Sequence, residues 1–384
     1  MAKLPKGIDK MPSGKYKATA SIGSGRTRKR KSKSFATITE AKQWMVEVNA
    51  DMHSGTTYAG DDELITETYN EWVKVYVVGK VSAATELSYH FTGKIVAKYC
   101  GDMRIKDLSR KQCQELFNTI VASGYAKTTV QKFKVHLTKF CRNLVNEGVM
   151  KRNPMTDIDI RGAKHGKQAD DKFMSITAYK CLLKELKQRP IHEMNVYGMV
   201  ILTILCTGMR VSEAVDLRLD DIDREQATLR VDSSYSRVIH GSKAPKTANS
   251  YRTVPVPAFL INRLNQWRFR QNEVLMNKGI SMQSDHLFLT ETGSVPDASA
   301  MNFWVKKLQR EVCGLAADET VTTHGLRHTY ASYLLSREGG NQSITYVAAV
   351  LGDTQEMVQA VYAHLMPEEK ASQADVVRDA MEAI

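Results

Sequence analysis

No stretch of this 384-residue chain approaches the roughly 20 consecutive apolar residues of a membrane span, and its start lacks a signal-type apolar run. Neither a membrane protein nor a membrane partner is expected. Cysteine is sparse: Cys100, Cys113, Cys141, Cys181, Cys206 and Cys313 form no CxxC pair and no cluster with histidine. That scatter points away from a disulfide framework and a zinc site, and toward reduced, mostly buried thiols. Asp and Glu form no metal-type cluster either, so no metal and no cofactor is expected. Negative charge is the scarcer sign, with 42 Asp+Glu against 54 Lys+Arg and a formal net charge of +12. Residues 1–60 hold twelve basic and four acidic side chains, which is +8 of that excess. Such asymmetry suits a polyanion, most often nucleic acid, although a solvated basic tail gives the same count. At 42% hydrophobic the composition is that of a globular protein, and the length allows two or three cores.

What is present divides into three parts. In residues 1–60, Tyr16, Ala18, Ala20 and Ile22 alternate with polar residues as in a strand, and Gly23-Ser24-Gly25 reads as a turn. A second strand returns through Lys31 to Phe35, and a helix carries Trp44, Met45 and Val48. The tip of this small sheet bears Arg26, Arg28, Lys29, Arg30, Lys31 and Lys33, a set suited to phosphate contacts. Residues 61–155 read as an all-helical domain. Leu64, Tyr69, Trp72 and Tyr76 share one helix face, Ser109 is an N-cap, and Val130, Phe133, Leu137, Phe140 and Leu144 repeat at helical spacing. Lys127, Lys132, Lys134 and Lys139 fall between those apolar positions and face either a DNA backbone or solvent. The stretch from Met150 to Lys172 shows no period and reads as a linker.

Residues 172–384 form the third part. The apolar helix from Val196 to Cys206 ends at Thr207-Gly208, and Arg210 then opens a new helix with Glu213 three residues later on the same face. A hairpin loop carries Lys243 and Lys246, and either lysine alone reads most simply as solvated. His324 and Arg327 lie three apart, so on a helix they share a face; Ile344, Val347, Ala348 and Leu351 mark a second short helix, and Tyr362 follows a third apolar pattern. Arginine makes paired, charge-assisted bonds to phosphate oxygens, and a nearby phenol could act as a nucleophile. With a pKa of about 10 the phenol needs a base or positive potential to react. A helical core with a satisfied histidine, a surface arginine and a buried tyrosine explains the same spacing.

The order of these groups resembles the tyrosine site-specific recombinases, of the phage and conjugative-element integrase type. The resemblance is carried by TGMRVSEAVDL, PKTANSYRTVPVP, THGLRHTYAS and the segment from Leu351-Gly352 to Tyr362-Ala363-His364. Four separated motifs in one order are far more specific than any one of them. The resemblance implies a multidomain α+β chain. Residues 1–60 would be an arm-type DNA-binding domain with a three-stranded sheet and a helix, 61–155 a helical core-site-binding domain, and 172–384 a mainly helical catalytic domain with a small β-sheet. It implies that Arg210 and Arg327 grip the scissile phosphate, that His324 assists proton transfer, and that Lys246 (or Lys243) protonates the leaving oxygen. Glu213 would buttress the site and Tyr362 would attack, giving a 3′-phosphotyrosyl link. Implied partners are double-stranded DNA at core and arm sites and a homotetramer on that DNA. A host DNA-bending protein and an excisionase follow the same resemblance, as does a cytoplasmic, nucleoid-associated location in a bacterial host.

One position departs from the pattern. Where the family usually has histidine or tryptophan after Leu351-Gly352, this chain has Asp353. An ionised carboxylate cannot donate a hydrogen bond to phosphate and repels it. Asp353 is either protonated in place, turned away as the cap of the following helix, or the mark of weakened activity; the cap is the reading adopted, since aspartate is a preferred N-cap. The tail from Pro367 to Ile384 reads as an amphipathic helix that packs on its own domain or on a neighbouring protomer. The competing functional reading is a catalytically weakened or non-catalytic DNA-binding relative.

Overall fold

A computed structural model describes residues 4–5, 7–22, 29–53, 62–163, 173–245, 248–280, 284–362 and 381–382. The chain divides into two compact units, residues 1–166 and 167–384. Among the described residues, no helix is long and apolar enough to cross a membrane.

The first unit opens with an antiparallel sheet of β1 (Ile8–Lys10), β2 (Tyr16–Ile22) and β3 (Lys29–Phe35), paired in that order. Its register sets Tyr16 opposite Phe35 and Ile22 opposite Lys29. The alternation read along β2 is realised: Ala18 and Ala20 are buried and Lys17 is exposed. Helix α1 (Ile38–His53) contributes Ala41, Trp44 and Met45 to a small core with Ile8 and Ala18. The turn at 23–25, with Arg26 and Arg28, lies outside the described residues.

A bundle follows in the same unit: α2 (Ile65–Tyr76), α3 (Ala83–Cys100), α4 (Arg110–Ala122) and α5 (Lys127–Asn146). Tyr69, Trp72, Phe117, Phe133 and Phe140 fill its centre. Ser109 caps α4 in a reciprocal box with Gln112, satisfying donors that a helix start leaves open. The expected linker does not begin at Met150, because Met155, Ile158 and Ala163 are buried in the bundle core. This segment has no period because its backbone is irregular, held by side chains instead: Asn153 donates to the Thr138 carbonyl, and Gln114 bonds both backbone groups of Asp159.

The second unit contains α6 (Ile176–Gln188), α7 (Val196–Thr207), α8 (Val211–Ala214), β4 (Ile222–Asp223), β5 (Thr228–Val231), β6 (Ser234–Ser236), β7 (Gly241–Lys243) and β8 (Arg252–Pro255). It continues with α9 (Ala258–Asn277), α10 (Ala298–Cys313), α11 (Thr323–Leu335), α12 (Ile344–Leu351) and α13 (Gln355–Tyr362). Helix α7 is apolar on every side because it is buried on nearly every side. Around it, β4, β5 and β8 make a three-stranded antiparallel sheet, and β6 and β7 a separate hairpin. Part of what reads as the lysine loop is thus strand: Lys243 pairs with Ser234.

Candidate active site

Arg327 on α11 is only 2% exposed. A guanidinium tolerates such burial only if its donors are used. Nη1 donates to the Gly208 carbonyl at 3.0 Å, and Nη2 to the Leu351 carbonyl at 2.8 Å and to Asp353 Oδ2 at 2.6 Å. Both carbonyls sit at helix C-termini, those of α7 and α12, where the aligned peptide dipoles favour a cation. Two left-handed glycines shape these ends, Gly208 at φ 64° and Gly352 at φ 68°. A Cβ on Gly208 would lie 2.4 Å from the Tyr330 ring, so no other residue fits there. Burial still holds the Arg327 guanidinium below its usual pKa, with the Asp353 charge opposing the shift.

Arg210 follows Gly208 in extended backbone and stands at the N-cap of α8, which is a single turn. Its backbone N–H donates to Glu213 Oε2 at 3.0 Å and its Nη1 to Glu213 Oε1 at 2.8 Å. Glu213 is gripped from the other side by Arg252, whose Nη2 donates to Oε2 at 2.7 Å. Burial alone would raise the Glu213 carboxyl pKa, but the bonds from Arg252 and Arg210 outweigh it and hold the pKa below the ordinary value. Arg252 also donates through Nε to the Val350 carbonyl at 2.7 Å, tying β8 to α12. Arg252 was not singled out from the sequence. Its signal was there: it alternates in register with buried Val254 on a half-buried strand, where a charged side chain needs a partner.

Asp353 does not face away. Its carboxylate bridges two arginines, with Oδ1 2.5 Å from Arg210 Nη2 and Oδ2 2.6 Å from Arg327 Nη2. The hydroxyl of Thr354, one residue on, accepts from Met357 N at the start of α13 and serves as the cap expected of Asp353. Three guanidinium groups therefore meet two carboxylates, leaving the cluster cationic. The outer face of the cluster opens on a cleft of about 380 Å³ lined also by Ser212, Lys243, Asn249 and Met357. One Nη2 from each of two braced guanidinium groups thus meets one oxygen of a single carboxylate, a charge-assisted arrangement that suits an oxyanion.

A family model described as the phage integrase family matches residues 172–369, just over half of the chain and all of the site just described. The chain belongs to the phage integrase family. It is accordingly a tyrosine recombinase, a DNA strand-transfer enzyme of site-specific recombination. This integrase is 27% identical over 387 residues to a XerC-like tyrosine recombinase of Caldanaerobacter subterraneus subsp. tengcongensis, covering 95% of this chain and 96% of that one. The ICEBs1 integrase of Bacillus subtilis is 22% identical and matches 76% of each chain. Among solved structures, the Tn1549 transposon integrase in complex with transposon right end DNA shares the fold at a TM-score of 0.63 and 18% identity, over 82% of this chain and 100% of that one. A lambda integrase dimer bound to a COC' core site shares it at 0.58 and 16% identity, over 94% and 95% of the two chains.

Within the integrase, the structure gathers Arg210, Glu213, Arg327 and Asp353 in direct contact, and adds Arg252. His324 lies one helical turn before Arg327 on α11; its exposed ring meets His328 edge-on at 4.4 Å. Tyr362 is the last residue of α13, nine after Asp353, and its side chain lies outside the described residues. Lys246 lies outside them altogether. Strand β3 carries Lys29, Arg30, Lys31 and Lys33, of which only the Lys33 side chain lies within the described residues. Lys33 is exposed over the Phe35 ring, 5.5 Å from its centroid. In the bundle, Lys127 and Lys132 are exposed, whereas Lys134 donates to the Ile158 carbonyl and Lys139 to the Tyr89 hydroxyl.

Proposed function

We propose that this integrase integrates or excises a mobile element by cutting and rejoining two specific DNA sites through a 3′-phosphotyrosyl intermediate. Arg210 and Arg327 hold the scissile phosphate and stabilise the charge that grows on its oxygens. The Tyr362 hydroxyl oxygen attacks phosphorus while His324 assists the departure of its proton, and the bond to the 5′ oxygen breaks. Lys246, or Lys243 beside it, donates the proton that the leaving 5′ oxygen takes. A 5′-hydroxyl from a second strand reverses the step. The bond energy stays in the phosphotyrosyl link throughout, so no metal or nucleotide enters the scheme. Glu213 is the buttress, sharing its carboxylate between Arg210 and Arg252.

The observation that carries this reading is the Asp353 carboxylate between the two arginines. It occupies an anion seat, and a DNA phosphate takes that seat by displacing it. The same contact favours a second reading, a catalytically weakened or non-catalytic DNA-binding relative in which the carboxylate is never displaced. Double-stranded DNA at core and arm sites, a homotetramer, a host DNA-bending protein and an excisionase complete the proposal. A lambda integrase tetramer bound to a Holliday junction, similar in fold at a TM-score of 0.56, supports the tetramer.

One experiment separates the readings. A nicked suicide duplex carrying the attachment core is incubated in chelator with this protein and with Tyr362→Phe, then run on a denaturing gel. The expected result is a covalent protein–DNA adduct that the Phe variant does not form. DNA binding without an adduct would establish the second reading.

A further inference from the structure

The β6–β7 hairpin carries Lys243 into the cleft and leads on toward Lys246, yet little of its own structure fixes it. Each strand is three residues long and residues 237–240 between them are exposed. A hairpin of this size is marginal in water unless something outside it sets its place. Hydrophobic packing gives it only Tyr235, partly buried against the main core.

Polar contacts supply the rest: Arg237 in the turn pairs with Asp297 at 2.9 Å, and a second, more buried cluster grips Ser242 beside Lys243. Asp216, 1% exposed and three residues after Glu213, accepts through Oδ1 from Ser242 Oγ at 2.6 Å and pairs with His286 Nε2 at 3.0 Å. The Ser242 oxygen in turn accepts from Arg218 Nη2 at 3.1 Å. His286 is steadied by Ser284, whose Oγ lies 2.7 Å from Nδ1, and its ring meets Tyr235 edge-on at 6.0 Å. Tyr235 and Ser242 are cross-strand partners, so the cluster holds both strands at one rung. The Leu287 N–H donates to the Leu217 carbonyl at 2.7 Å and Arg218 bridges to Asp285, which bind the two supporting segments together. Ser242 is the immediate neighbour of Lys243. An apolar contact would hold such a hairpin in place but leave it free to slide, whereas directional bonds to both faces of one hydroxyl fix its orientation.

We propose that Asp216, His286 and Arg218 are positioning residues for strand cleavage. Through Ser242 they hold the hairpin so that its lysine reaches the leaving 5′ oxygen. The proposal rests on the recombinase reading above and on a hairpin lysine being the acid. Its chemistry is specific: proton donation by the lysine Nζ is what suffers when the hairpin shifts, while phosphate binding by Arg210 and Arg327 does not. A general acid is worth about 10²- to 10⁴-fold, and misplacement by about 1 Å can remove 10²-fold.

The test compares Ser242→Ala and Asp216→Asn with the parent protein on two suicide duplexes, one with the natural bridging 5′ oxygen and one with sulfur in its place. A thiolate leaves without needing a proton, so sulfur bypasses the acid. On the oxygen substrate both variants should form adduct roughly 10- to 100-fold more slowly. On the sulfur substrate both should regain the parent rate, with core-site binding in a gel shift unchanged. Parent-like cleavage of the oxygen substrate by both variants overturns the proposal, and so does slow cleavage that sulfur fails to rescue. If Asp216→Asn does not fold, Ser242→Ala decides alone, because its partly exposed hydroxyl can be removed without opening the core. A parent protein that forms no adduct on either substrate overturns the recombinase reading itself.

Discussion

At the scale of single residues, the carboxylate of Asp353 sets the chemistry of the free protein. It pairs with one buried guanidinium, Arg327, and one about one-third exposed, Arg210. Removing it leaves Arg327 with carbonyl partners only, and breaking a buried pair costs about 3 kcal/mol. Asp353→His should therefore lower the stability of the free protein by roughly that amount in urea unfolding and raise the rate of adduct formation several-fold. A slower adduct in this variant would mean that the carboxylate organises the arginines rather than obstructs them. Arg210, Glu213 and Arg327 were readable because each sits in a motif with a fixed helical offset. The direction of Asp353 was not, because position relative to a helix start says nothing of where two distant guanidinium groups lie. Arg252 and Asp216 escaped for a related reason: their partners are 39 and 70 residues away, Glu213 and His286 respectively.

At the scale of elements, α6, α9 and α10 were not read from the sequence, whereas the helices that were read came out nearly to their ends, since apolar spacing and caps are local properties. Ser109 and the α4 box show this, as do the three short helices that follow Val321. Segments held by side chains were not legible, which is why residues 150–163 read as a linker although they close the bundle. Helix α5 contains another feature without a sequence signal. His136 is buried, bonds the Thr92 hydroxyl at 2.7 Å and stacks on Tyr89 at 3.7 Å. Burial, with Lys139 and Lys132 nearby, brings its pKa down from 6.5 to about 4. The unfolded imidazole binds a proton that the folded one refuses between those values. Stability linked to His136 is thus complete above about pH 6.5, declines as the pH falls toward about 4, and is level below that, a change on the order of 3 kcal/mol. Urea unfolding between pH 7.5 and 4.5 should show this loss in the parent and a flatter profile in His136→Gln. Equal slopes in the two proteins would remove His136 as the cause.

At the scale of the whole molecule, charge is the property that composition reveals best. The +12 net charge is concentrated at the start of the chain, and Lys33 on β3 is exposed. A lysine that contacts a phosphate backbone adds about one to the slope of log affinity against log salt. Lys33→Ala should lower that slope by about one on arm-site DNA, measured by fluorescence anisotropy between 50 and 200 mM salt. An unchanged slope would assign the strand to a solvated surface.

Arg327 links these scales in a way that bears on how inert protein should be prepared. It is a brace between the ends of α7 and α12 as well as a candidate phosphate ligand. Taking it away loosens two helices in the free protein, so a failed reaction in such a variant confounds lost chemistry with lost architecture. Replacing the phenol of Tyr362 instead takes one oxygen from the chain and leaves that brace standing, and is the sounder route to trapping an intact, unreacted complex.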